Sequence, residues 1–500
     1  MSRRHTFVAL AALVLAGPGR AADPQALADR IDRHLTAAHA AAKVTPAPPA
    51  DDAEFLRRAY LDLAGTVPTV AEARAFLDDP AADKRAKVVD RLLASPAAAR
   101  HLATEVRRAW LPQSDAAGAS PQAGAFERWL RDRLAAGDRY DRLVRDVLTA
   151  PARPEPGDPS DARAFLELNG FRAEDLAANA ARSFLGLNLD CAQCHNHPFA
   201  RWTQEEFWQT AAFFAPPGKG NTPAERLTVS IAGTKRTAAP ALLTGGAVPW
   251  PAEWDERAGR RAFASWATAK ENPYFARNAA NRAWAQLFGS GLVEPLDTLV
   301  SEDRPHHPEL LDDLAAAFRD SGHDLKFLLA GVARSQAYQR TSRWAGGTPP
   351  PPHLFARAEV RGLSGEQLFH AMLTATGRPV PDDGRPDDPA HKLRKQFADR
   401  FRADRPARAD RTIPQALLLL NGEPVAGGLR LARGVADAPF LDAGQKLDAL
   451  FLAALGRRPT AAEAGPLLAH VATAGTGRQA DAWADVFWAL LNSAEFGTNH

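Results

Sequence analysis

The chain of 500 residues carries 61 Lys and Arg against 59 Asp and Glu, a formal net charge of +2 at pH 7, with 45% hydrophobic residues. A balance this even gives no support for nucleic-acid binding and excludes a strongly basic chain. The length buries a core without covalent staples, and two cysteines exclude a disulfide-dense scaffold.

The N-terminus, "MSRRHTFVALAALVLAGPGRAADP", reads as a secretory signal over residues 1–22. Arg3 and Arg4 form a basic start, Phe7 to Ala16 an apolar stretch too short to span a bilayer, and small residues offer cleavage near Ala21 or Ala22. Loss of Arg3, Arg4 and Arg20 takes the formal charge from +2 to −1. No later segment approaches the roughly 18 uncharged apolar residues of a membrane helix, so the mature chain is expected to lack a transmembrane segment. It is expected in the periplasm, at the cell surface or outside the cell.

Residues 23–50 read as an Ala-rich helix and a Pro/Ala linker, and 51–215 as a helical domain. Capping boxes pair Thr69 with Glu72, Thr203 with Glu206, Ser364 with Gln367 and Thr460 with Glu463, each before an apolar run at helical spacing, and Gly377 supplies a helix stop. Between 216 and 252, "RLTVSIAGTKRTAAPALLTGG" alternates β-branched and polar residues around a turn and predicts a hairpin. Residues 253–500 read as a second helical domain. The fold class is therefore mainly α: a multi-helix, two-domain protein with a small β-hairpin between the halves. Stretches 151–160 and 347–352 read as exposed loops, and the charged stretch 381–411 as a long solvated loop or mobile segment. "YLDLAGTVPTVAEARAFL" (60–77) and "FLAALGRRPTAAEAGPLL" (451–468) share their Gly, Pro-Thr and Glu, the mark of a reused helix–turn–helix unit.

Both cysteines fall in "LDCAQCHNHPF", residues 189–199. Two cysteines placed at random with a histidine following would give this pattern roughly once in ten thousand chains, and Cys-x-x-Cys-His is the attachment motif of c-type haem. On a helix, positions i, i+3 and i+4 share a face. Cys191 and Cys194 would bind the porphyrin covalently and His195 would be the proximal iron ligand. Phe199, Trp202, Phe207, Trp208, Phe213 and Phe214 follow within sixteen positions and suit either a haem wall or an ordinary core-facing helix. A sixth ligand is not selected: Met372 sits at core spacing, and His101, His306, His307 and His323 are the imidazole candidates. The alternative is a non-catalytic extracellular binding or scaffold protein, in which Cys191, Cys194, His195 and His197 hold zinc, compressed into seven residues, or the two thiols form a lone disulfide.

No nucleophile elbow, P-loop or dinucleotide fingerprint occurs, and no catalytic residue is assigned. "PHHPELL" (305–311) reads as a helix start. Arg58 and Asp62 are spaced to pair across a helical turn, Arg277 and Asp297 between segments. Asn281, Arg282 and Trp284 are expected to fix a helix and its Gly289/Gly291 exit, or to line a ligand groove.

The ordered motifs "EFLRRAYLDLAGTVPT", "FLGLNLDCAQCHNHPFARWTQEEFWQTAAFFA", "NPYFARNAANRAWAQLFGSGLVEPLD", "HPELLDDLAAAFRDSGHDLKFLL" and "WALLNSAEF" carry a resemblance over about residues 50–500. The chain resembles the secreted planctomycete cytochrome-type family, a cytochrome-like domain of unknown function joined to its companion C-terminal domain. The resemblance implies haem at Cys191, Cys194 and His195, and a redox or cell-surface protein partner outside the cytoplasm. It implies no established activity. The chain departs from it at His370, where relatives tend to carry an acidic residue.

Overall fold

The structure, a computed structural model, describes residues 23–116, 121–153, 160–300, 305–380, 389–401, 423–475 and 477–500. The predicted leader (1–22) lies outside them, as do 154–159 of the first predicted loop and 381–388 and 402–411 of the charged stretch. The described part of that stretch is not a loop. Pro389–Arg400 is a helix whose Phe397 is buried against Phe369, because apolar residues at helical spacing outweigh the local charge.

Helices dominate, and the strands described are two short antiparallel pairs. The predicted hairpin is one of them, reduced to Val229–Ser230 paired with Thr237–Ala238. All four predicted capping boxes are present, with hydroxyl and carboxylate or amide exchanging bonds with backbone N–H groups. The Gly365–Ala375 helix ends at Gly377, φ +68°, and Pro308–Asp320 begins at His307 as "PHHPELL" predicts.

The Asp52–Ala64 helix is buried on every side, which makes it the shared wall of two hydrophobic clusters. Phe55, Leu56 and Tyr60 enter the first, which runs from Leu27 to Phe355 and also takes in Leu452. Leu61 and, just beyond the helix, Val67 join the second, otherwise built from Leu368 to Phe496 and containing Met372. Apart from Leu61, Val67 and Leu452, which cross over, the clusters divide between Phe355 and Leu368, and segments on both sides of the 216–252 hairpin share the first. Two arginines of this helix are buried and serve as ties. Arg57 donates to the carbonyls of Ala454, Glu495, Phe496 and Thr498, fastening the C-terminus beside the Arg361–Gly362/Thr498–Asn499 strand pair. Arg58 donates to the Tyr338 and Arg340 carbonyls at 2.7 Å and pairs with Glu54, also at 2.7 Å.

Two sequence-level pairings are corrected. Arg58 pairs with Glu54 one turn earlier, and Asp62 pairs with Arg361 at 2.8 Å. Arg277 pairs with Asp312 at 3.1 Å, while Asp297 lies 3.9 Å from Arg182. Spacing along one helix ranks partners only until a distant segment packs closer.

Candidate functional site

The Cys-x-x-Cys-His segment follows a helix without lying on one. The Ala173–Ala180 helix widens into a π turn, Ala181–Leu185, and stops at Gly186, φ +67°. A Cβ at Gly186 would stand 2.7 Å from Leu299 Cδ1 and 2.9 Å from Asn278 Oδ1, so the chain turns where only glycine fits. Leu187, Leu189 and Ala192 then point into the core. Cys191 and Cys194, on and just after the 3₁₀ turn Asp190–Gln193, are left exposed as free thiols. The expected α-helical display of the motif is thus replaced by a short turn.

The Gln204–Ala212 helix holds this turn from behind. Trp208 Nε1 donates to the Gln193 carbonyl at 3.0 Å and Gln204 Nε2 to the Cys194 carbonyl at 2.9 Å. The Gln204 amide donates to Asn196 Oδ1 at 2.9 Å, and Arg182 grips Asp190 through both carboxylate oxygens at 2.7 and 2.8 Å.

The two histidines of the segment differ chemically. His195 is exposed, and its Nδ1 lies 2.7 Å from the Asn196 carbonyl. A carbonyl only accepts, so Nδ1 carries the proton and the Nε2 lone pair is available to a metal. His197 Nδ1 instead accepts from the Phe199 amide at 3.1 Å, which puts its proton on Nε2. Among the described residues no group of three or more His, Cys, Asp and Glu is arranged to hold a metal ion.

Two exposed thiols three positions apart and an imidazole with a free Nε2 fit the donor set of covalent haem. The aromatic wall does not fit: Trp202, Phe207, Trp208, Phe213 and Phe214 are buried in the core, and Phe199 alone is exposed, at 77%. The candidate sixth ligands are engaged elsewhere. Met372 is wholly buried in the second cluster, His306 stacks on His353 at 4.0 Å, and His307 Nε2 meets the His353 carbonyl. His323 packs between Phe275 and Phe318, and His101 lies under Gly65. Burial pushes the His101, His307 and His323 imidazoles below the usual histidine range.

Sequence reasoning missed a buried polar network. Asp62 accepts from Arg361 Nη2, Tyr338 Oη and Asn499 Nδ2 at 2.8, 2.9 and 2.7 Å, joining segments up to 437 positions apart. Burial pushes its carboxyl up, against the lowering pull of Arg361 and Tyr338. The available signal was charge inside an apolar run, "FLRRAYLDL". Asn281 behaves as expected, exchanging two bonds with the Val293 backbone and fixing the helix exit.

A mainly helical architecture with two hydrophobic clusters and a solvent-facing thiol–thiol–imidazole turn defines the class of protein. The family comparisons sharpen it: residues 30–218 match the model described as PSCyt2, protein of unknown function (DUF1549), and residues 259–408 the model described as PSD1, protein of unknown function (DUF1553). The chain carries these two domains in that order, consistent with a two-domain family of unknown function. No curated protein and no solved structure matches it.

Proposed function

We propose that this chain is an exported c-type haem protein of the planctomycete cytochrome-like kind, with one haem bound through Cys191 and Cys194 and His195 as its proximal ligand. Its work is electron transfer, or a redox reaction at that haem, with a protein partner outside the cytoplasm. The observation that carries the reading is the Asn196 carbonyl at 2.7 Å from His195 Nδ1, which holds the proton there and leaves Nε2 to bind a metal. Both thiols stand exposed on the same turn, within reach of a bulky group that enters from solvent. Trp208, Gln204 and Arg182 hold the turn through its carbonyls and Asp190, so ligand and anchors keep one geometry. When bound, the haem supplies the one-electron chemistry. The leader pattern of residues 1–22 supports export.

The test is an absorbance and pyridine haemochrome spectrum of mature protein made in a host with c-type maturation, beside a Cys191→Ala/Cys194→Ala variant. A haem that resists acid-acetone extraction and is absent from the variant is the expected result. Colourless protein from a host that matures a control cytochrome overturns the reading, and thiol titration with zinc analysis then describes what the turn holds.

A further inference from the structure

A cleft of about 910 Å³ opens where the Pro96–Trp110 and Phe275–Phe288 helices meet Leu325, Leu329 and the Arg361–Gly362 strand. Its size lies in the range of small-molecule sites, and most of its lining is apolar. Three arginines face it. Arg108 is neutralised by Glu105 and Glu366, and Arg361 by Asp62.

Arg282 is different. Its Nε donates to Asn278 Oδ1 at 3.0 Å and its Nη2 to the Arg182 carbonyl at 3.1 Å. Among the described residues its Nη1 has no hydrogen-bond partner and no carboxylate forms an ion pair with it. Burial pulls its guanidinium below the usual arginine range. Asp297 and Glu294 act on it only from beyond ion-pair distance, so Arg282 lines the cleft as a half-buried cation with one donor nitrogen left for an anionic ligand.

We propose that this cleft binds a small monocarboxylate with an apolar body, its carboxylate on Arg282 and its body on the Leu102, Val106 and Leu329 surface. Arg282 can match one negative charge, and with Arg108 and Arg361 already paired and Glu105 and Glu294 also lining the cleft, the second charge of a phosphate monoester finds no free cation there among the described residues. The site is independent of what the cysteines carry, since no residue of 189–199 lines it.

Isothermal titration of the full mature chain with 2-naphthoate, 2-naphthalenemethanol and 2-naphthyl phosphate tests this. Naphthoate should bind saturably and more tightly than the other two, and Arg282→Gln should weaken naphthoate at least about tenfold, the scale of one charge-assisted hydrogen bond, with naphthalenemethanol unchanged. Naphthoate binding no tighter than naphthalenemethanol, or unaffected by Arg282→Gln, overturns the proposal. Should Arg282→Gln not fold, Ser290→Trp decides, since it fills the cleft while leaving Arg282 in place. Naphthoate binding lost in that variant supports the site, and binding unchanged overturns it.

Discussion

Asp62 shows how much of this molecule rests on single buried charges. Its carboxylate gathers Arg361, Tyr338 and Asn499 from three distant segments, and loss of water on burial raises its carboxyl despite the lowering pull of Arg361 and Tyr338. Removing it strands the Arg361 guanidinium and the Tyr338 hydroxyl. Asp62→Ala should therefore cost about 3 kcal/mol or more in urea unfolding, and Asp62→Asn less, because the amide oxygen keeps one acceptor. A loss under about 1 kcal/mol for the alanine variant would contradict this account. Glu366 behaves in the opposite sense. Burial pushes its carboxyl up, but the Arg108, Arg394 and Arg107 guanidiniums outweigh it and bring it down to about 2 from 4.5. A carboxyl depressed by folding contributes stability that is complete above about pH 4.5 and is lost as pH falls toward 2. Glu366→Gln should flatten the melting temperature against pH across that window, and a profile as steep as the parent's would show that other groups govern acid unfolding.

At the scale of elements, the echo between 60–77 and 451–468 is a repeated helix–turn–helix. Asp52–Ala64 ends at Gly65 (φ +66°) and Ala443–Leu455 at Gly456 (φ +70°), each followed by a Thr–Glu capping box. The repeats differ at the glycine. A Cβ at Gly65 would stand 2.6 Å from His101 Nδ1, whereas at Gly456 the nearest atom is Pro68 Cγ at 3.4 Å. Gly456→Ala should carry only the left-handed backbone cost of about 1 kcal/mol, and Gly65→Ala more, with calorimetry of both variants giving the order. Equal losses would mean that His101 moves aside freely. Caps, stops and this repeat were readable from sequence because each is a local contest between side chain and backbone over three or four residues. The helix assigned to 389–400 was not, since its charges masked the face carrying Phe397. Nor was the end of the helix before Cys191: glycine at 186 is required by Leu299 and Asn278, more than ninety positions away.

For the whole molecule, the mainly α fold and the order of its two family domains follow from the sequence pattern, while the assembly of the polar sites does not. Cys191, Cys194 and His195 were legible as a candidate site because they are adjacent in the chain, and adjacency alone brings them together at one turn. The tautomers of His195 and His197 were not, because the proton position depends on which backbone group each ring meets. The aromatic residues after the motif were equally ambiguous until packing sent five of six inward. Arg282 was legible as a helix-fixing or groove-lining residue; its lack of an ion pair in the cleft was not, because that depends on Asn278, Arg182 and the distance to every acid nearby. The measurement that bears most directly on the haem reading is intact-protein mass spectrometry of the mature chain from a host with c-type maturation, followed by peptide mapping. The account predicts the polypeptide mass plus one covalently attached haem, located on the peptide containing Cys191 and Cys194 and absent from the double alanine variant. The bare polypeptide mass, from a host that loads a control cytochrome, would contradict it.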